Sequence, residues 1–205
     1  MSRYAFYSRE EIIDKALEIV REQGYQALSA RSLSRALKCS ITPIFTTFKN
    51  MEKVFDCTLV AAKRYFASYL ADVTEYVPAY KEFALRMIRM AREDTNLFLF
   101  LCENAEKANI PGPAVECLEA MCDAFEIDEK QKSLFVNQIW VFTCGLAAMS
   151  SKEQEYYTDD VVSEMISCQF LSTVFFFRSG KPIQNEIPRL RRGDEKFTLK
   201  VEGLE

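Results

Sequence analysis

The chain has 205 residues, of which 49% are hydrophobic, and its net charge is −4. This length and apolar content suit one large domain or a small domain plus a medium one, and they argue against intrinsic disorder. Six glycines, six prolines and long stretches of helical periodicity predict an all-α fold. The chain has no histidine, so it lacks the commonest general base and metal ligand, and we expect no enzymatic activity and no cofactor.

Charge is divided unevenly along the chain. Residues 1–64 carry 11 Lys and Arg against 7 Asp and Glu, whereas residues 65–205 carry 15 against 23. A basic N-terminal part can attract phosphate locally although the whole chain is acidic, because salt screens the more distant charges. An ordinary scatter of surface charges is the alternative.

The first 50 residues contain three predicted helices. Ser8 and Glu11 form a capping box before the first helix, and Gly24 ends it in a left-handed conformation. Ser29 caps the second helix, and Ser40 caps the third after a tight turn. Two short helices joined in this way predict a helix-turn-helix DNA-binding domain over residues 1–50.

A helical domain for ligand binding and dimerisation is predicted over residues 51–205. Its helices are expected at about 51–77, 79–93, 95–107, 112–126, 128–151 and 159–179. The uncharged run 133–151 barely reaches the length of a membrane span and contains polar residues, so a buried bundle helix is expected. After residue 180 the chain turns polar and basic, and we expect an irregular tail with one candidate strand.

The third helix needs one buried side and one exposed side. Its buried side is expected to consist of Ile44, Phe45 and Phe48. These residues are expected to pack on Leu17, Val20 and Leu33 of the first two helices. The residues expected on its exposed side are Ile41, Thr42, Thr46 and Thr47. The N-terminal residues of such a helix meet base edges in the major groove.

The run from Glu11 to Phe55 resembles the DNA-binding domain of TetR-type (TetR/AcrR family) transcriptional regulators. The matching residues are Ala16, Leu17, Gly24, Tyr25, Ser29, Ser40, Ile44, Phe45, Phe48, Lys49 and Asn50. The remainder of the chain matches in layout and helix count. The resemblance implies a cytoplasmic repressor that binds a palindromic operator as a homodimer and is released by a small, largely apolar effector in the C-terminal domain.

The resemblance also implies a set of DNA-binding residues. They are Ser29, Arg31, Ser40, Ile41, Thr42, Pro43, Phe45, Thr46, Thr47 and Lys49. Arg31 suits bidentate contact with guanine, and a solvated surface arginine is the alternative. Thr42 and Pro43 could touch thymine methyl groups or simply begin the helix, whereas Thr46 and Thr47 are expected at phosphates.

Several positions depart from the family pattern. Lys38 stands in the turn where glycine is usual. Phe45, Thr46 and Thr47 replace the usual tyrosine and histidine, and Met51 stands where a basic residue often touches phosphate. We therefore expect a weaker electrostatic grip or a different operator.

The C-terminal part supplies candidate effector and dimer residues. The expected walls of a mostly apolar ligand cavity are Tyr65, Phe66, Tyr69, Phe98, Cys102, Met121 and Phe125. The expected dimer residues are Phe135, Ile139, Phe142, Leu146, Met165, Phe170, Val174 and Phe177. Ordinary core packing within one chain is the alternative for both sets.

Other functions remain open at this stage. The seven cysteines have no metal-ligand spacing and suit reduced cytosolic thiols, although a thiol sensor at Cys117 and Cys122 is an alternative. No phosphate-binding glycine loop or nucleophile motif supports catalysis. An all-α ligand-binding or structural dimer with a weakened DNA-binding head is the rival function. We expect no membrane partner.

Overall fold

A computed structural model describes residues 7–75, 79–104 and 112–179, and every regular element in these ranges is helical. The helices are α1 (Arg9–Gln23), α2 (Ala30–Ala36), α3 (Thr42–Thr47), α4 (Met51–Tyr69), α5 (Ala79–Glu93), α6 (Thr95–Glu103), α7 (Gly112–Ala124), α8 (Lys132–Lys152) and α9 (Asp159–Arg178). Two 3₁₀ turns lie at Tyr25–Ala27 and Val73–Glu75. The predicted all-α fold is confirmed. The predicted tail lies outside the described residues.

Three predicted N-terminal caps are present. Ser8 accepts a hydrogen bond from the Glu11 amide while the Glu11 carboxylate accepts one from the Ser8 amide. Ser29 accepts from the third residue of α2, and Asn50 accepts from the third residue of α4. Each cap satisfies an amide that the helix itself leaves without an acceptor. Local sequence was therefore sufficient to place these three starts.

Two predicted helix ends were wrong in detail. Ser40 does not cap α3, because the capping position falls on Ile41, whose φ of −69° and ψ of −17° are already helical and which makes no side-chain capping bond. A side-chain cap needs an extended residue at that position. Gly24 ends α1 with φ 82° and ψ 156°, so it supplies the predicted positive φ but not the left-handed helical conformation.

The turn between α2 and α3 is a Schellman motif with a lysine at its strained position. Lys38 has φ 53°. Its amide donates to the carbonyl of Arg35, and the Cys39 amide donates to that of Ser34, which is the bond pattern of this motif. The tight turn is confirmed, and it holds a side chain in a conformation that usually belongs to glycine.

We predict that Lys38→Gly raises the free energy of unfolding by up to about 1 kcal/mol. Glycine relieves the clash of the side chain in the left-handed region, and the entropy of glycine in the unfolded chain offsets part of the gain. Chemical denaturation at neutral pH measures the change. Lys38→Ala is the matched control, since alanine keeps the Cβ atom. Equal unfolding midpoints for the two variants would contradict the strain.

Three hydrophobic clusters hold the chain together. The head core joins α1, α2, α3 and the start of α4, and its buried residues are Ile12, Ala16, Ile19, Leu33, Leu37, Ile44, Phe48 and Val54. The junction cluster is built on buried Val20, Ala62, Leu97 and Phe100, with Leu17, Tyr25, Leu28, Phe55, Leu59 and Leu101 packed against them. The body core occupies the space between α5 and helices α4, α7, α8 and α9.

The seat of α3 is confirmed in part. Ile44, Phe48 and Leu33 lie in the head core as predicted. Leu17 and Val20 were wrong as partners, because they lie in the junction cluster instead. Helix α1 thus carries one apolar side toward α2 and α3 and a second toward α4 and α6.

Polar contacts reinforce the junction between head and body. Arg21 near the end of α1 forms an ion pair with Asp94, which precedes α6. The Asn96 side chain donates to the Arg21 carbonyl over 2.9 Å, and the Tyr25 hydroxyl donates to Glu103 at the end of α6. The head is therefore fixed to α6 by packing and by hydrogen bonds at both ends of that helix.

Helix α4 ends earlier than predicted. The expected span was 51–77, but the helix stops at Tyr69. Arg86 of α5 donates to the Tyr69 carbonyl over 3.0 Å and pairs with Asp72 and Glu82. Because this side chain satisfies a carbonyl at the end of α4, the chain can leave the helix there.

Helices α8 and α9 are long and apolar enough to cross a membrane by composition alone. Each has a mean hydropathy of 1.3 over an 18-residue window, and 33% of each window is buried inside the chain. Both helices contribute residues to the body core. Their composition therefore also fits bundle helices with a second apolar side, which is described below.

Candidate nucleic-acid interface

One side of α3 is open to solvent and carries most of the predicted base-reading residues. We call Ile41, Thr42, Phe45 and Thr46 the reader face, because all four are exposed. Ile41 is 49% exposed and Phe45 is 40% exposed. Residues four apart lie on the same side of a helix, so Ile41 adjoins Phe45 and Thr42 adjoins Thr46. The predicted exposure is confirmed for Ile41, Thr42 and Thr46, whereas Thr47 is half-buried.

Phe45 was wrongly assigned to the seat. Ile44 and Phe48 are buried in the head core, but Phe45 points to solvent. The pair is sufficient to fix the helix, since Ile44 is 0% and Phe48 2% exposed. Sequence periodicity could not separate three nearby apolar residues by side. Phe45 therefore belongs to the reader face and not to the seat.

The threonine hydroxyls of α3 are committed to the helix itself. Thr46 Oγ1 donates to the Thr42 carbonyl over 2.9 Å, and Thr47 Oγ1 donates to the Pro43 carbonyl over 3.1 Å. Phosphate oxygens accept hydrogen bonds only, so these hydroxyl protons are not free for the phosphate contacts that the sequence predicted. In this arrangement the reader face is mostly apolar.

Four cations lie close to the reader face along the chain. Arg31 and Arg35 lie on α2, Lys38 lies in the turn, and Lys49 lies two residues after the end of α3, and all four are exposed. Within residues 7–75, 79–104 and 112–179, no carboxylate forms an ion pair with any of them. Free cations at this position suit phosphate. Arg35 and Lys38 were not predicted for this role, although Arg35 is four residues after Arg31 on the same helix.

The two predicted serines have different environments. Ser29 caps α2, and its hydroxyl also lies 3.0 Å from that of Ser32. Ser40 is exposed at the start of the segment that leads into α3. Arg9 of α1 adds a further cation nearby, with its guanidinium 4.8 Å from the centre of the Phe48 ring. Neither serine nor Arg9 belongs to the reader face.

No protein-family model matches the sequence, and no curated protein matches it. Several solved structures resemble it in three dimensions, and two of them are TetR regulators. A TetR variant from Acinetobacter baumannii, solved in complex with minocycline, aligns with a TM-score of 0.59 and 17% identity over 84% of this chain and 97% of that chain. The transcriptional regulator SCO7222 from Streptomyces coelicolor, also a TetR, aligns with a TM-score of 0.52 and 16% identity over 85% of this chain and 97% of that chain.

The chain has the TetR fold. Helices α1 to α3 form its helix-turn-helix head, and the later helices form its all-α body. The resemblance seen in the head residues therefore extends to the architecture of most of the chain. At these identities the comparison concerns the fold, so the surface contacts of this chain must be argued from its own residues.

In this example of the TetR fold, the predicted cavity walls lie in or beside the body core with one exception. Phe66, Phe98 and Met121 are buried there, and Tyr69, Cys102 and Phe125 pack against it. Tyr65 is the exception, because it faces outward beneath the guanidinium of Arg21, 5.2 Å from its ring centre. Tyr65 is therefore excluded as a wall of a buried cavity. The other six stay predictions.

Cys102 lies against a second thiol. The Cys102 and Cys144 side chains, on α6 and α8, form a hydrogen bond that lowers the pKa of the Cys102 thiol and raises that of Cys144. The alternative thiol pair, Cys117 and Cys122, is buried instead, and burial raises the pKa of both. High thiol pKa values oppose reactivity at the latter pair.

The described part of this TetR fold contains an open polar cleft beside α5 and α9. Its volume is about 600 Å³, and Arg89, Arg92, Glu93, Asp159 and Asp160 are among its lining residues. Arg92 is satisfied by bonds to Ser150 and Asp159, both over 2.6 Å. The cleft was not predicted, and its charged lining differs from the apolar cavity expected from the sequence.

The residues chosen for the dimer interface require correction. Six of the eight are buried inside a single chain and expose at most 7% of their surface to a partner: Phe135, Ile139, Leu146, Phe170, Val174 and Phe177. Phe142 and Met165 are half-buried and pack against the body core. The same two helices have a separate exposed apolar side. We call it the outer face: Leu134, Val141, Met149, Leu171, Phe175 and Phe176.

The outer face contains the most exposed large apolar side chains of these helices. Phe175 is 78% exposed, Val141 66% and Leu171 64%. Leu171 and Phe175, four residues apart, share one side of α9, and Leu134 and Val141, seven residues apart, share one side of α8. Exposed apolar surface on two helices is typical of an interaction site. The residues predicted for the dimer lie on these same two helices, mostly on the side that faces the body core.

Proposed function

We propose that the chain is a DNA-binding transcriptional regulator, acting as a repressor and not as an enzyme. The observation that carries the proposal is the reader face, an exposed helix side fixed by buried Ile44 and Phe48. Four exposed cations without carboxylate partners in the described structure lie near it along the chain. A helix presented in this way fits the major groove, and flanking cations neutralise phosphates.

Two copies of the chain provide the two reader helices that a palindromic operator requires. The outer face of α8 and α9 supports this homodimer, because a second copy would bury Phe175, Leu171 and Val141. The two heads would then enter successive major grooves about 34–36 Å apart. This assignment accounts for the apolar helices without a membrane, which fits a cytoplasmic protein.

A small-molecule effector is proposed to act through the body. One of the solved structures with this fold, the TetR variant from Acinetobacter baumannii, is bound to minocycline. In this chain, Phe98 of α6 belongs to the body core while Phe100 of the same helix belongs to the junction cluster. An effector that favours one position of α6 would therefore change the population of head positions that fit the operator. We propose a largely apolar effector for this core.

Electrophoretic mobility shifts with the upstream region of the gene for this protein test the proposal. We expect a specific complex that resists competitor DNA and weakens with salt, with a slope of about −0.9 per phosphate contacted. Arg31→Ala should weaken binding by at least about fivefold, because a bidentate guanine contact contributes about 1–3 kcal/mol. Arg64→Ala, an exposed arginine on α4, is the matched control.

The rival function is a ligand-binding or structural dimer with a weakened head. It is favoured by the commitment of the Thr46 and Thr47 hydroxyls to their own helix. A dimer that forms no competitor-resistant complex on any duplex would support this rival and overturn the regulator. If Arg31→Ala forms the same complex as wild type, only the proposed role of Arg31 is overturned, and the DNA-binding function is kept.

A further inference from the structure

The reader face offers few hydrogen-bond donors to base edges. Ile41 and Phe45 have none in their side chains, and the Thr46 hydroxyl donates to the Thr42 carbonyl. Among the described residues of the reader face, only Thr42 keeps a hydroxyl without a bond in the chain. The face has no arginine or lysine for guanine and no asparagine or glutamine for adenine.

The chemistry that remains is apolar, and the major groove has one apolar group that distinguishes bases. This group is the C5-methyl of thymine, which side chains such as phenylalanine and the threonine methyl contact. We propose that the reader face selects its operator through thymine C5-methyl groups, with Ile41 and Phe45 as the specificity-determining residues. The inference rests on the proposed function and names the bases that this site recognises.

The spacing of the two side chains limits where the thymines lie. Ile41 has helical backbone angles, so it and Phe45 are neighbours on one side of the helix, with Cβ atoms about 5–6 Å apart. Successive base pairs are separated by about 3.4 Å along a strand. Ile41 and Phe45 therefore reach methyl groups one or two base steps apart, and each operator half-site should contain a thymine pair at that separation.

The surroundings favour DNA over a protein as the occupant of this face. Besides Arg31, three cations lie close to it along the chain, namely Arg35, Lys38 and Lys49, all exposed and without an ion-paired carboxylate in the part of the chain that the structure describes. An apolar protein surface would desolvate these cations at a cost, whereas phosphates on both sides of a major groove would pair with them.

Uracil substitution tests the inference directly. Duplexes that bind the full-length protein are first selected from a random-sequence pool, and each thymine of the selected half-site is then replaced by uracil. Uracil keeps every hydrogen-bonding group of thymine and lacks only the methyl. We expect about a fourfold loss of affinity at each of two positions, the value for one methyl-sized apolar group. Uracil at the other positions should have little effect.

Two variants assign the methyl groups to side chains. Ile41→Ala and Phe45→Ala should each weaken binding to the thymine duplex and abolish the thymine preference at one position only. Both residues are exposed, so the variants should keep the helical circular dichroism of wild type. Val60→Ala is the matched control, because Val60 is 48% exposed on α4, outside the reader face.

The outcomes separate this inference from the proposed function. Equal affinity for thymine and uracil duplexes would overturn methyl recognition while leaving a specific DNA-binding protein. Unchanged DNA binding by both alanine variants would also overturn it and assign the face to another partner. Failure to select any duplex would overturn the proposed function itself. The inference would be established if uracil lowers the affinity at two positions and if each alanine variant removes the difference between thymine and uracil at one of them.

Discussion

Phe175→Glu should convert the protein to a monomer at micromolar concentration and abolish specific DNA binding. Phe175 is 78% exposed in a single chain and lies on the outer face with Leu171 and Val141. In a symmetric dimer the substitution occurs twice, so the loss is about 3–6 kcal/mol from two apolar side chains alone. This corresponds to a dissociation constant raised by at least about a hundredfold. Each carboxylate would also be buried in an apolar interface without a partner.

Sedimentation and mobility shifts measure both parts of this prediction. The single chain of the variant should still fold, since Phe175 contributes little to the packing of the body core. Its circular dichroism should therefore match that of wild type. Tyr156→Glu is the matched control, because Tyr156 is 68% exposed in the loop between α8 and α9. A dimer of unchanged stability in Phe175→Glu would remove the outer face from the proposal.

Phe100→Ala should cost about 3–5 kcal/mol of stability, the usual range for a fully buried phenylalanine. Phe100 is 0% exposed at the centre of the junction cluster. Its ring lies 5.6 Å from that of Tyr25 and 5.2 Å from that of Phe55, in stacked and perpendicular geometries. Such pairs contribute about 0.5–1.5 kcal/mol beyond area burial. The loss falls on the contact between head and body.

Chemical denaturation followed by circular dichroism tests this prediction. We expect the variant to unfold in two steps, because the head core and the body core no longer share their common cluster. Phe45→Ala is the matched control, since Phe45 is 40% exposed on α3, outside the junction cluster. A single unfolding transition with a loss of less than about 1 kcal/mol would show that the junction cluster contributes little to the free energy of unfolding.

Much of the architecture could be predicted because its determinants are local. Helix α5 begins and ends where the sequence placed it, at Ala79 and Glu93. The caps at Ser8, Ser29 and Asn50 are formed by side chains within three residues of the amides they satisfy. Capping preferences and apolar periodicity act over this short range.

The predictions were wrong where the structure of a segment depends on residues that are distant in sequence. The end of α4 depends on Arg86, 17 residues beyond the carbonyl that it satisfies. Neighbouring helices decide whether Phe45 is buried or exposed. They also decide which apolar side of α9 faces outward, because they cover the other side. A helix that is apolar on two sides gives no periodic signal for either choice. For the candidate site, the bonds of Thr46 and Thr47 within α3 were equally invisible in the sequence.

The junction cluster has a consequence for building hybrid regulators. Helix α1 gives Val20 to contacts with Leu97 and Phe100 of α6, so the head brings half of a hydrophobic interface with it. A head transplanted onto another body would expose this half or meet side chains of the wrong shape. Chimeras that exchange operator specificity should therefore exchange the matching surface of α6 together with the head, or restrict the exchange to the residues of the reader face.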